Sequence, residues 1–186
     1  MEKEKVLSFR LMGVFSCGST EEEKAQNSIR IGKTGKKLLS FLQYLIVNHG
    51  RNITSEELIG QFWPDSSDPA SLLRNMLFKV RNLLKAMVPE GNGLLLTLQN
   101  CYRWAPEVRL ETDAEQFESA CVGARRQPEE EYCGRLLGAI ALYKGEFLAG
   151  NDDEWVGMLR QYYRTLYLDA CRAVLPLLYK EERWME

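Results

Sequence analysis

Between Asp68 and Met87 the chain reads D-P-A-S-L-L-R-N-M-L-F-K-V-R-N-L-L-K-A-M. At about 100° per residue, Ser71, Arg74, Asn75, Lys79, Arg81, Asn82 and Lys85 gather on one face, with Phe78 among them. No acidic residue joins them. Arg and Lys pair with phosphate or with the acceptors of guanine, and Asn pairs bidentately with adenine. The opposite face is an apolar stripe of Leu73, Leu77, Val80, Leu84 and Met87, widened by Leu72, Met76 and Leu83. A helix with this back and this front has the chemistry of a major-groove reader. The plainer alternative is a half-buried helix with a solvated basic face. Phe78 has two readings in that setting: contact with a thymine methyl group, or packing beneath a neighbouring hairpin.

Catalytic chemistry is poorly supplied. The only histidine is His49. Beside Gly50 at a predicted helix end, it suits a C-terminal cap better than a general base. There is no P-loop, dinucleotide fingerprint, nucleophile elbow or metal-ligand spacing. Glu129-Glu130-Glu131 suits the first turn of a helix better than a carboxylate pair. Cys17, Cys101, Cys121, Cys133 and Cys171 are odd in number, scattered, and form no C-x-x-C pair, so reduced thiols are expected. The sequence thus predicts no enzyme, no cofactor and no metal.

The elements that would position the 68–87 face can be read in order. Residues 5–12 alternate, with Leu7, Phe9 and Leu11 on one side and Ser8 and Arg10 on the other, as in a half-buried strand. A polar loop and a second short strand, Ser28–Ile31, complete a small N-terminal antiparallel sheet. A helix is expected from Thr34 to about Asn48, with Leu38, Leu39, Leu42, Leu45 and Ile46 inward. Lys33, Lys36 and Lys37 cluster at its first turn, where cations oppose the helix dipole; either solvent screens them or a phosphate pairs with them. Thr54 and Glu57 form a capping box for a helix whose apolar face is Leu58, Ile59, Phe62 and Trp63. Pro64 ends it, and Asp68 caps the next, with Pro69 in its first turn. Two short helices with a tight polar link, the second basic, make a helix-turn-helix arrangement. Leu94–Leu98 and Cys101–Trp104 then read as a hairpin, in the position of a wing, with Arg103 near its tip.

Beyond residue 107 the pattern turns helical. Val108–Thr112 is extended, and Thr112 or Asp113 caps a helix to about Ala124. A second helix spans Glu129–Tyr143. A long one begins near Asp153 or Glu154 and carries Trp155, Tyr162, Tyr163 and Tyr167 as a core stripe; Pro176 predicts a kink or an end. The division expected is 1–107 and 108–186. The net charge of −2 hides an asymmetry. Residues 1–106 hold 14 Lys and Arg against 10 Asp and Glu, a net of +4, and residues 107–186 hold 10 against 16, a net of −6. A mildly basic half joined to an acidic one suits a nucleic-acid reader tied to a protein-interaction module. No apolar run has membrane-spanning length and the N-terminus is charged, so a cytoplasmic protein without a membrane contact is expected.

Several segments together resemble a known family. V-L-S-F-R-L-M-G-V-F, I-T-S-E-E-L-I-G-Q-F-W-P-D-S and L-L-R-N-M-L-F-K-V-R-N-L-L-K resemble the OmpR/PhoB-type winged helix of SARP-type regulators. D-A-E-Q-F-E, A-L-Y-K-G-E-F-L and the helix around Trp155 and Arg160 resemble the bacterial transcriptional activation domain that follows it. The resemblance implies an α+β winged helix-turn-helix followed by an all-α, tetratricopeptide-like domain. It implies a cytoplasmic transcriptional regulator, an activator by analogy, whose partners are double-stranded DNA and RNA polymerase or other transcription proteins. Arg74, Asn75, Phe78, Lys79, Arg81, Asn82 and Lys85 would then lie on the recognition helix and Arg103 on the wing, with Lys36 and Lys37 as further DNA contacts. A homodimer would suit tandem half-sites, although no coiled-coil heptad specifies one. The final residues read like the opening of a further tetratricopeptide helix, so the chain is expected to be a fragment of a longer regulator. The alternative function is an interaction scaffold whose winged helix no longer binds DNA.

Overall fold

In the computed structural model, residues 5–18, 35–88, 93–124 and 129–180 are described. The predicted strand Ser28–Ile31, the helix start at Thr34, Lys33 and the last six residues lie outside them. The elements are β1 (Lys5–Arg10), β2 (Ser16–Cys17), α1 (Lys36–Val47), β3 (Ile53–Thr54), α2 (Ser55–Phe62), α3 (Pro69–Met87), β4 (Leu95–Leu98), β5 (Cys101–Trp104), β6 (Val108–Thr112), α4 (Asp113–Ala124), α5 (Glu129–Leu142) and α6 (Glu154–Lys180). Among the described residues two three-stranded sheets form, with strand orders β2-β1-β6 and β3-β5-β4. Two compact units result: Met1–Leu7 with Cys17–Leu110, and Ser8–Ser16 with Glu111–Glu186.

In the first unit, α1 is buried almost all round, from Ser40 to Ile46. Asn48 is its C-cap, and His49 follows with Nδ1 2.9 Å from the Ile46 carbonyl oxygen. The Thr54 hydroxyl accepts from the Glu57 backbone N–H at 3.1 Å and caps α2. The Asp68 carboxylate accepts from the Ser71 N–H at 3.2 Å and caps α3. Helices α1 and α2 both pack on α3. Phe41, Phe62 and Trp63 fill the space between them, with ring centroids 5.0–5.9 Å apart. Ile53 pairs with Tyr102, so β3 is a third strand beside the hairpin.

In the second unit, α4 packs on α5 and α5 on α6. Phe117, Tyr143, Phe147 and Tyr163 form its aromatic core. The segment that follows β1 belongs here. Asp113 accepts from the backbone N–H of Leu11 at 2.6 Å and of Met12 at 3.1 Å. Burial pushes its carboxyl up, against three backbone N–H groups that favour the charged form. Met12 bridges to Phe147. Gly13 (φ 86°) and Gly145 (φ 154°) meet backbone to backbone, and a Cβ on Gly145 would lie 3.0 Å from the Gly13 Cα, so neither position admits a side chain. Arg160 donates to the carbonyl oxygens of Phe147, Leu148 and Asn151 at 2.7–3.1 Å and holds the turn before α6. Thr112, not Asp113, caps α4, accepting from the Glu115 N–H at 3.1 Å. Pro176 neither ends nor divides α6, which continues to Lys180. Among the described residues no helix is long and apolar enough to cross a membrane.

Asp113→Asn turns one acceptor oxygen into an NH2 group facing a backbone N–H. It should lower stability by about 1–3 kcal/mol. Urea denaturation at neutral pH reads this, with the exposed Asp152→Asn unchanged as control.

Candidate nucleic-acid interface

The apolar stripe of α3 is buried as the periodicity predicts: Leu73, Leu77, Val80, Leu84 and Met87 are each at most 6% exposed. Leu72 is the exception, at 40%. The opposite face is open to solvent. Arg74, Asn75, Phe78, Lys79, Asn82 and Lys85 are all exposed there, and Phe78 is 63% exposed. That exposure excludes packing beneath the hairpin, one of its two readings.

Four of the singled-out cations have specific surroundings. Arg81 lies at the edge of the polar face and is half-buried. It donates to the Leu95 carbonyl from Nε (3.3 Å) and Nη2 (3.2 Å), and from Nη2 to the Thr97 hydroxyl (2.8 Å). It therefore braces the hairpin against α3. Arg74 donates to the Ser71 hydroxyl at 2.7 Å. It also helps, after the Ser71 hydrogen bonds, to hold the Asp68 carboxyl below the usual carboxylate range. Lys37 stands with Nζ 5.0 Å from the centre of the Trp63 ring. This cation–π contact is a third explanation for a lysine in the first turn of α1, beside solvent and phosphate. Arg103 sits opposite Leu96, two rungs back from the end pair Leu98–Cys101, and so lies away from the tip. Its Nε is buried without a partner among the described residues.

The hairpin is fixed from below as well. The Trp104 indole N–H donates to the Leu45 carbonyl at 2.9 Å within the core. Asn100 at the turn accepts from the Ser55 N–H at 2.7 Å. Gln99 takes the left-handed conformation at this turn, with φ 50°. The first turn of α2 carries a further polar cluster. Glu57 accepts from Arg51 Nη1 at 2.8 Å and from the Tyr44 hydroxyl at 2.6 Å. Its carboxylate thus faces those groups, and the predicted capping box is realised through its Thr54 half. Arg51 holds the Glu57 carboxyl below its ordinary value, with Tyr44 assisting. Burial, then the Glu57 hydrogen bond, push the Tyr44 hydroxyl up to about 12. All five cysteines are unbridged. Among the described residues no cluster of three His, Cys, Asp or Glu is placed to hold a metal ion.

No family model matches the chain, and no curated protein sequence matches it. A solved structure does. The fold is similar to that of Mycobacterium tuberculosis EmbR in complex with a low affinity phosphopeptide, with a TM-score of 0.68 at 18% identity. The similarity covers 90% of this chain and 44% of EmbR, so the chain spans less than half the length of its structural relative.

Two outcomes test these contacts. Arg81→Met should free the hairpin from α3, raising amide hydrogen exchange at Leu95–Trp104 while α1 stays protected. Glu57 has a folded pKa below its unfolded one, so its contribution is present above the ordinary carboxylate value of about 4.3 and is lost as pH falls through the depressed value. Glu57→Gln should therefore lower stability by about 0.5–1 kcal/mol at neutral pH, a figure discounted for exposure. It should also flatten the acid limb of the stability–pH curve measured by urea denaturation.

Proposed function

We propose that the chain is the DNA-binding and activation part of a bacterial SARP-type transcriptional regulator. On this reading the first unit is a winged helix that lays α3 in the major groove of duplex DNA, with β4–β5 as the wing. The second is a tetratricopeptide-like unit that contacts RNA polymerase or another transcription protein. The protein works in the cytoplasm and has no catalytic step. The observation that carries the reading is the exposed face of α3, where basic and amide side chains stand without an acid while the helix's other face fills the core. The likeness in fold to EmbR, a SARP-family transcriptional regulator, supports it. That EmbR was captured with a phosphopeptide makes a protein partner a reasonable companion proposal. A homodimer on tandem half-sites belongs to the same reading.

Two cations of the predicted set, Arg81 and Lys37, have partners inside the fold. This favours an interaction scaffold as the second reading. The two readings separate in one measurement: fluorescence anisotropy of the chain with duplex from its own upstream region and with scrambled duplex, at low and physiological salt. Tighter binding to the native duplex at physiological salt is the expected result. Arg74→Ala and Lys79→Ala should each weaken it by about 1–3 kcal/mol if they touch bases, and less if they touch phosphate. Equal binding to both duplexes that vanishes with salt, or none, leaves the scaffold.

A further inference from the structure

The exposed face of α3 has an apolar centre. Phe78 is the most exposed large apolar side chain among the described residues of the first unit, at 63% against 42% for Val6, 41% for Leu98 and 40% for Leu72. It lies between Asn75, three residues before it, and Asn82, four residues after it, both exposed on the same side of the helix. A phenyl ring held in water there contributes nothing to the core, which the other face fills. Asn75 and Asn82 are seven residues apart, about 10 Å along the axis at 1.5 Å per residue. That distance spans about three base-pair steps of 3.4 Å. Major-groove edges offer hydrogen-bonding atoms at every pair, but only thymine offers a methyl group.

We infer that Phe78 is a specificity residue, which seats its ring on a thymine C5-methyl group between the bases faced by Asn75 and Asn82. The inference rests on the DNA-binding reading and deepens it. It makes one base of the site readable through apolar contact alone. The cations at the edge of the face set position, and the phenyl ring decides one letter.

Deoxyuridine tests this, because it lacks only the methyl group and keeps every hydrogen-bonding atom of thymidine. The chain is first used to select duplexes from a randomised pool made with thymidine. The selected duplex is then resynthesised with deoxyuridine at each thymine in turn, and binding is measured by anisotropy. One position should weaken binding about fourfold, the effect of one buried methyl group. Phe78→Ala should bind the thymidine duplex more weakly and show no further loss with deoxyuridine at that position. Phe78→Leu should keep part of the sensitivity. Because the side chain is exposed, both variants should retain the native circular dichroism spectrum. If no deoxyuridine substitution weakens binding, or if Phe78→Ala keeps the full penalty, the inference is overturned while DNA binding stands. If no duplex is enriched, the DNA-binding reading itself falls, and the inference with it.

Discussion

The first unit depends on the roll of α3 about its own axis. Val80 is fully buried and Arg81 follows it directly. A turn of one residue, about 100°, would drive the guanidinium toward the core and bring Val80 into water. An unpaired buried charge costs several kcal/mol, far more than any adjustment of the apolar contacts could return. Apolar stripes alone tolerate small slippage, because their attraction has no direction. The Arg81 hydrogen bonds to Leu95 and Thr97 do have direction, and they link the roll of the helix to the position of the strand beside it. With the roll fixed, Asn75, Phe78, Lys79 and Asn82 face outward as a consequence.

The hairpin has the complementary constraint. An isolated two-stranded hairpin is marginal in water, and this one is secured on three sides. Trp104 reaches the last turn of α1, Asn100 meets the first residue of α2, and Leu95 and Thr97 receive Arg81 from α3. Each contact satisfies a donor or acceptor that the hairpin would otherwise leave to solvent. Together they tie three helices to one small sheet. The Glu57 cluster serves the neighbouring corner, where Arg51 in the turn after α1 and Tyr44 within α1 converge on the start of α2.

Periodicity was enough to read α3, because a helix with one face in a core writes that face into its sequence every three or four residues. All five stripe residues are buried, and the first unit's side-chain caps, Thr54 and Asp68, act where local spacing puts them. What the sequence left unread were partners remote in the chain or fixed by folding geometry. Arg81 resembles its neighbours on the polar face until the hairpin arrives 14 residues later. Lys37 needs Trp63, and Glu57 turns from its own cap toward Tyr44 and Arg51. Asp113 grips Met12 from 101 residues away, which no local pattern encodes. The role of Gly145 was equally hidden, since A-L-Y-K-G-E-F-L carries a resemblance but does not say what its glycine meets. Pro176 was legible as a disturbance but not in its outcome. It removes one helical hydrogen bond near an exposed end, where water can serve the freed carbonyl of Arg172.

Electrostatics then shape what a DNA-binding α3 can do. Arg81 is engaged with the hairpin, and Arg74 stands near the Asp68 carboxylate that caps the same helix. Lys79 and Lys85 remain as the clear cationic positions on the exposed face. Each phosphate neutralised contributes a salt-dependence slope of about 0.9. Two or three such contacts give a modest non-specific affinity, in keeping with the chain's net charge of −2. A strongly basic reader binds any duplex and discriminates afterwards. A surface with few free cations and uncharged readers at its centre has little affinity to spend on wrong sequences. On the proposed reading, discrimination on this face therefore draws on Asn75, Phe78 and Asn82 beside any base contact of Arg74 or Lys79, because their contacts with bases are directional or shape-dependent and are weakly screened by salt.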